Sequence, residues 1–142
     1  MMENINSVFR FDRYIVKEVQ FDYNLGFDSD EAIDISFDID ASYEIDTEKR
    51  CMVTVLDVTI FDNPIENNYP FKMYIKLAGI FSMQEGDVKD MEKFKPNSIS
   101  ILFPYARALV TSFTASANVT PLILPTINVN AYIQQKKEDS EL

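Results

Sequence analysis

The chain has 142 residues, enough for one domain with an ordinary core, and its 23 acidic against 13 basic side chains leave a formal charge of −10. That balance argues against nucleic acid, whose phosphates need clustered Lys or Arg, and against an anionic membrane surface, and it favours a cationic partner. With no histidine, one cysteine and three glycines, the commonest general base, a thiolate metal cluster and a phosphate-cradling loop cannot be assembled. Neither an enzyme nor a cofactor or metal site is expected.

The start, Met1-Met2-Glu3-Asn4-Ile5-Asn6, has no basic region followed by an apolar run, so a secretory signal is not expected. Cys51 has no second cysteine to pair with, and a cytoplasmic setting is the natural expectation. Phe9 to Asp22 reads as a first strand, with Val19, Phe21 and Tyr23 on one face and Glu18, Gln20 and Asp22 on the other. From Ile33 to Ile45 the alternation is unbroken. Ile33, Ile35, Phe37, Ile39, Ala41, Tyr43 and Ile45 face one way, and a polar set running from Asp34 to Asp46 faces the other. Period two over this length predicts an antiparallel strand wetted on one side. The acids of that wet face read as solvated surface rather than as a catalytic pair, because catalysis demands a cleft and a perturbed pKa.

Arg50–Phe61 is apolar on both faces, as an inner strand should be, and Phe71, Met73, Ile75 and Leu77 alternate with Lys72, Tyr74 and Lys76 in a fourth strand. Turn residues separate them at Asn24-Leu25-Gly26, Asp46-Thr47-Glu48-Lys49 and Asp62-Asn63-Pro64. Links this short predict a four-stranded antiparallel meander. Asp28-Ser29-Asp30-Glu31 lacks the glycine and the distal Glu of a calcium loop and reads as a turn.

After Ser82 the period changes. Asp87–Lys95 predicts a short charged helical segment, and Ile99, Leu102, Phe103, Ala106, Val110, Phe113 and Ala117 then recur at spacings of three and four, one stripe of a long helix. Pro104 falls inside it and predicts a kink or broken turn. The stretch Ile99–Ala117 is long enough for a membrane span, but Arg107, Pro104 and its Ser and Thr residues argue against one. Between Pro96 and Gln135 the sole charged residue is Arg107, although the chain carries 36 in all. A surface helix normally keeps a charged stripe towards water. Here the side opposite the stripe holds Tyr105, Ala108, Ser112 and Ala115, mostly small and uncharged, and self-association through that side is expected. Thr120–Val129 is an apolar, proline-bounded loop, and a shorter helix over Asn128–Glu138 follows, capped by Asn128, with a flexible tail over 136–142. The fold class is therefore α+β in a single domain.

Phe37, Ile39, Leu122, Leu124, Val129 and Tyr132 exceed the apolar needs of one thin layer, which suggests a groove for extended apolar peptides; core packing is the competing reading for each of them. Four segments also resemble a known family. Gly79-Ile80-Phe81-Ser82, Leu102-Phe103-Pro104-Tyr105-Ala106-Arg107, Leu122-x-Leu124 and Ile127-Asn128-Val129-x-Ala131 are similar, in order and spacing, to the signature of the SecB protein-export chaperones. The resemblance spans roughly Phe9 to Gln135. It implies a single SecB-like domain over 1–142, with 1–7 and 136–142 flexible, assembled as a homotetramer, a dimer of dimers.

It further implies a holdase that binds unfolded preproteins without ATP and passes them to the SecA motor. Its peptide groove would match Ile35, Phe37, Ile39, Leu122, Leu124, Val129 and Tyr132. Its acidic SecA-docking face would match Glu18 and Asp22. The fourth-strand part of that face carries an acid in the family, whereas Lys72 and Tyr74 stand here. SecB-like chaperones of toxin–antitoxin pairs, whose client is an aggregation-prone antitoxin, are the alternative.

Overall fold

A computed structural model describes residues 8–30 and 32–141. Strands β1 (Phe9–Tyr23), β2 (Phe37–Asp46), β3 (Cys51–Ile60) and β4 (Phe71–Met83) form one antiparallel sheet. A one-turn helix α1 (Pro64–Asn67) lies between β3 and β4. A 3-10 turn over Val88–Phe94 runs straight into the long helix α2 (Lys95–Ser116), and α3 (Val129–Ser140) closes the chain. The α+β architecture, a four-stranded antiparallel sheet under a long and a shorter helix, is as the sequence predicts.

The connectivity is not a meander. The strand order is β1-β4-β3-β2, so β1 lies beside β4 and only β2, β3 and β4 follow one another as hairpins, a Greek-key arrangement. Composition explains the order. β3 and β4 carry apolar residues on both faces, such as Met52 with Val53 and Phe81 with Ile80, and they take the centre. The acid-bearing strands β1 and β2 take the edges, where one side stays wet. A meander would have left apolar β4 at an edge.

The β1–β2 link is also longer than predicted, because β2 begins at Phe37 rather than Ile33. That link is tied to the β3–β4 loop. The Asn24 amide nitrogen Nδ2 donates to the Tyr69 carbonyl at 2.9 Å, its backbone N–H donates to Pro70 O at 2.9 Å, and Phe61 N–H donates to Ser36 O at 2.9 Å.

Two register irregularities in β1, between Phe11 and Arg13 and between Val16 and Glu18, switch which residues face the helices. Beneath α2 lies the main core. Leu56, Val58 and Ile60 of β3 and Phe71, Met73, Ile75 and Leu77 of β4 pack on Ile99, Leu102, Phe103, Ala106 and Val110 of α2. A second cluster of Phe9, Met52, Phe81, Met83 and Met91 sits under the 3-10 turn. The predicted helical stripe is therefore real, and it also buries Ser98 and Thr114, each hydrogen-bonded. Thr54 and Ser98 share a hydroxyl bond of 2.7 Å, and Thr114 Oγ1 donates to Val110 O and accepts from Leu122 N–H. Of the kink or broken turn that the sequence predicts at Pro104, no broken turn occurs, and α2 is continuous through it. Pro104 and Ser100 are both exposed, where water can satisfy the carbonyl that the proline leaves without a donor.

Gly79 sits where β4 passes under α2. A Cβ there would lie 2.9 Å from Phe81 Cε2 and 3.2 Å from Leu102 Cδ1. Gly79→Ala is expected to destabilise the fold by about 1–3 kcal/mol through overpacking, measurable as a lowered urea midpoint. Asn128 caps α3 as predicted, its Oδ1 accepting from Ala131 N–H at 3.1 Å. The helix then runs to Ser140, two residues beyond the Glu138 end that the sequence predicts. The expectation for residues 1–7 lies outside the described residues.

Candidate functional site

The predicted groove residues do come together, on β2, the 117–128 connector and the start of α3, but in two different states. Ile39, Leu122, Leu124 and Val129 are buried core. Ile35 remains exposed just before β2, and Phe37 and Tyr132 are half-buried with ring centroids 5.7 Å apart. The connector is held by α2. Arg107, the lone charge, donates from Nε to Leu124 O at 3.1 Å, and Thr111 Oγ1 donates to Leu122 O at 2.9 Å. These bonds turn Leu122 and Leu124 inward and leave Ile123 outward.

Two clefts flank this cluster. One of about 440 Å³ lies between the β1–β2 link and the connector and is lined by Phe27, Ile33, Ile35, Phe71, Pro121, Leu122 and Ile123. The other, of about 810 Å³, lies between Ala41 and Tyr43 of β2, the start of α2 at Lys95, Pro96 and Ile99, and Ala131, Ile133 and Gln134 of α3. Neither Phe27 nor Ile123 was singled out from the sequence. Their signal was an apolar residue in an otherwise polar or proline-bounded loop.

Between the clefts, α3 crosses β2. Tyr132 covers Phe37 and donates its hydroxyl to Asp38 at 3.1 Å. Lys136 Nζ lies 2.6 Å from both Asp38 and Asp40 and 3.4 Å from the Ile39 carbonyl. β2 is an edge strand, so this ammonium caps part of an otherwise open backbone edge. Burial, reinforced by the bond to Asp38, raises the Tyr132 pKa. Burial alone would lower that of Lys136, but the bonds and charges of Asp38 and Asp40 outweigh it and hold the ammonium above the ordinary lysine value.

The first-strand acids Glu18 and Asp22 share the open face of the sheet, as their even spacing of four residues predicts. The register sets Glu18 opposite Lys76 and Asp22 opposite Lys72. Lys72 pairs with Asp62 at 3.0 Å, and Lys76 lies 3.8 Å from Asp57. Tyr74 donates to Asp57, and burial together with that carboxylate pushes its phenol well above the ordinary value. The β1–β4 half of this face is thus mixed in charge rather than uniformly negative. Val53, Val55, Ala78 and Ile80 make its centre apolar.

On α2, Tyr105, Ala108, Ser112 and Ala115 are all exposed, and Tyr105 borders β1. The uncharged surface continues further than the sequence indicated. Tyr105 stacks on Tyr14 of β1 at 4.5 Å, and Tyr14 and Val16, on the same face, are 41% and 43% exposed on a strand with one unpaired edge. The bulges of β1 hid this continuity, because they shift its alternation. Among the described residues no helix is long and apolar enough to cross a membrane.

Residues 2–140 match the sequence model of the family described as preprotein translocase subunit SecB. This chain belongs to the SecB family. An uncharacterized protein of Methanocaldococcus jannaschii is 33% identical over 142 residues, covering 92% of this chain and 88% of that protein. The protein-export protein SecB of Anaplasma phagocytophilum is 33% identical over 85 residues, 56% of this chain and 54% of that protein. Among solved structures, a SecB-like chaperone of Mycobacterium tuberculosis, in complex with a ChAD peptide from the HigA1 antitoxin, superposes with a TM-score of 0.70. It covers 87% of this chain and 93% of the other at 12% identity, a likeness of fold.

Proposed function

We propose that this SecB-family protein is a non-enzymatic holdase chaperone. It binds unfolded preproteins along β2 without ATP, in the cytoplasm, and delivers them to SecA. The observation that carries the proposal is the pair of clefts on either side of the Phe37–Tyr132 contact, the smaller mostly apolar and the larger setting Ala41, Ile99, Ala131 and Ile133 among charged Asp40, Glu92, Lys95, Lys136 and Lys137. Each large apolar side chain that a client buries there contributes about 1.5–3 kcal/mol, while ordering the client costs about 1–2 kcal/mol per residue. A short segment therefore binds weakly. A long unfolded chain that engages several subunits of a homotetramer binds tightly through effective concentration. Folded proteins, with no extended apolar segment to offer, are ignored.

A second reading, a chaperone for one aggregation-prone antitoxin, is favoured by the antitoxin peptide in the M. tuberculosis structure and by the mixed charge around Glu18 and Asp22. If SecA docks on that face, Glu18→Lys with Asp22→Lys weakens its binding, and added salt weakens the wild-type complex. A pull-down from native extract separates the two readings. SecA with varied preproteins supports export, and one dominant small DNA-binding antitoxin supports the second. Failure to slow the aggregation of an unfolded client at equimolar protein, with or without ATP, would sink both.

A further inference from the structure

Ile33 and Ile35 line one cleft, Ala41 and Tyr43 line the other, and all four lie along a single run of chain into β2. The Phe37–Asp40 stretch between them is crossed by α3, whose Lys136, with Asp40, also lines the near end of the second cleft. The contacts of that crossing sit near solvent, since the side chains of Lys136, Asp38 and Asp40 are 36%, 51% and 63% exposed. Ion pairs this exposed hold weakly and are screened by salt. Beyond Lys136, residues 137–140 of α3 are exposed as well. The helix is anchored to α2 and the core by buried Val129, by half-buried Ile133 and by Asn130 Nδ2 donating to Pro96 O at 2.8 Å and to Ser100 Oγ at 2.9 Å, and across β2 it is clasped at Tyr132 and Lys136.

We propose that Tyr132 and Lys136 form a latch that divides the groove, and that an extended apolar chain displaces it to open one continuous channel from Ile33 to Tyr43. The ten steps between Ile33 and Tyr43, at about 3.3 Å each, give a channel of roughly 33 Å. Opening also frees the outward carbonyl of Ile39 from Lys136, so a client strand can take its place by backbone pairing along the β2 edge. Client affinity is then the intrinsic affinity reduced by the fraction of molecules with the latch open. The proposal rests on the groove reading above, which assigns the clefts to polypeptide.

The test uses the full chain and an uncharged fluorescent peptide of about ten residues with alternating apolar side chains, sized to the channel. Lys136→Met keeps the aliphatic stem and removes the ammonium. It is expected to bind the peptide about three- to tenfold tighter and to speed amide hydrogen exchange in the second half of α3 by a similar factor. Raising salt to about 0.5 M should tighten the wild type and leave the variant unchanged. Asp38→Asn with Asp40→Asn should reproduce Lys136→Met, with no further gain when all three are combined. If Ile35→Asp abolishes peptide binding but Lys136→Met leaves affinity and exchange as in the wild type, the latch is overturned while the groove stands. If no variant affects peptide binding, the groove reading fails, and unchanged exchange in Lys136→Met would then overturn the latch separately.

Discussion

Leu124→Asp is expected to abolish cooperative folding, whereas Ile35→Asp should leave the fold intact and remove much of the client binding. The sequence groups both residues in one groove, and their burial separates them. Leu124 is 1% exposed within the main core, and its carbonyl is held by Arg107. Replacing it with aspartate forfeits about 1.5–3 kcal/mol of apolar burial and places an unpaired carboxylate among hydrocarbon side chains, a further cost of several kcal/mol. A domain of this size has only about 5–15 kcal/mol in total. Ile35 lies at the mouth of the smaller cleft and is exposed, so the same substitution costs the fold about 1 kcal/mol or less. Circular dichroism melts and an aggregation-suppression assay read the two effects separately. A Leu124→Asp protein that melted like the wild type yet no longer protected clients would show that Leu124 turns into the groove rather than the core.

Ala108→Lys should break the assembly. Tyr105, Ala108, Ser112 and Ala115 recur at spacings of three and four on the exposed side of α2, and none carries charge. The exposed Tyr14 and Val16 of β1 extend that surface to an open strand edge. Small side chains allow a second helix to approach closely, and a lysine at Ala108 would be buried there without a partner. Light scattering is expected to give about four times the 16.4 kDa chain mass for the wild type and a smaller species for Ala108→Lys. A wild-type protein that stays a monomer at micromolar concentration would refute the tetramer. In the isolated chain Ala108 faces water, so the variant subunit should still fold, and loss of its secondary structure would mean that folding and assembly are one event.

Much of this molecule is legible in the amino-acid order. The alternation through β2, the three-and-four stripe of α2 and the Asn128 cap each follow from local periodicity or local hydrogen bonding, and each appears in the structure. The single charge, Arg107, in α2 beyond Lys95 likewise points to an uncharged side of that helix. Local pattern determines which way a side chain faces because helix and strand geometry repeat over a few residues.

Pattern does not determine what lies opposite. The neighbour of β1 was decided by competition among whole strands for the sheet centre, and β4 won it because its second half, from Leu77 to Phe81, is apolar on both faces. Whether Leu122 and Leu124 belong to core or groove was decided by Arg107, Thr111 and Thr114, whose bonds turn the connector inward. The meeting of Lys136 with Asp38 and Asp40, nearly a hundred residues apart in sequence, exists only once α3 is laid across the edge of β2. Hydrophobicity and charge specify that a residue will seek burial or a counter-charge, and only the packed chain supplies the particular partner.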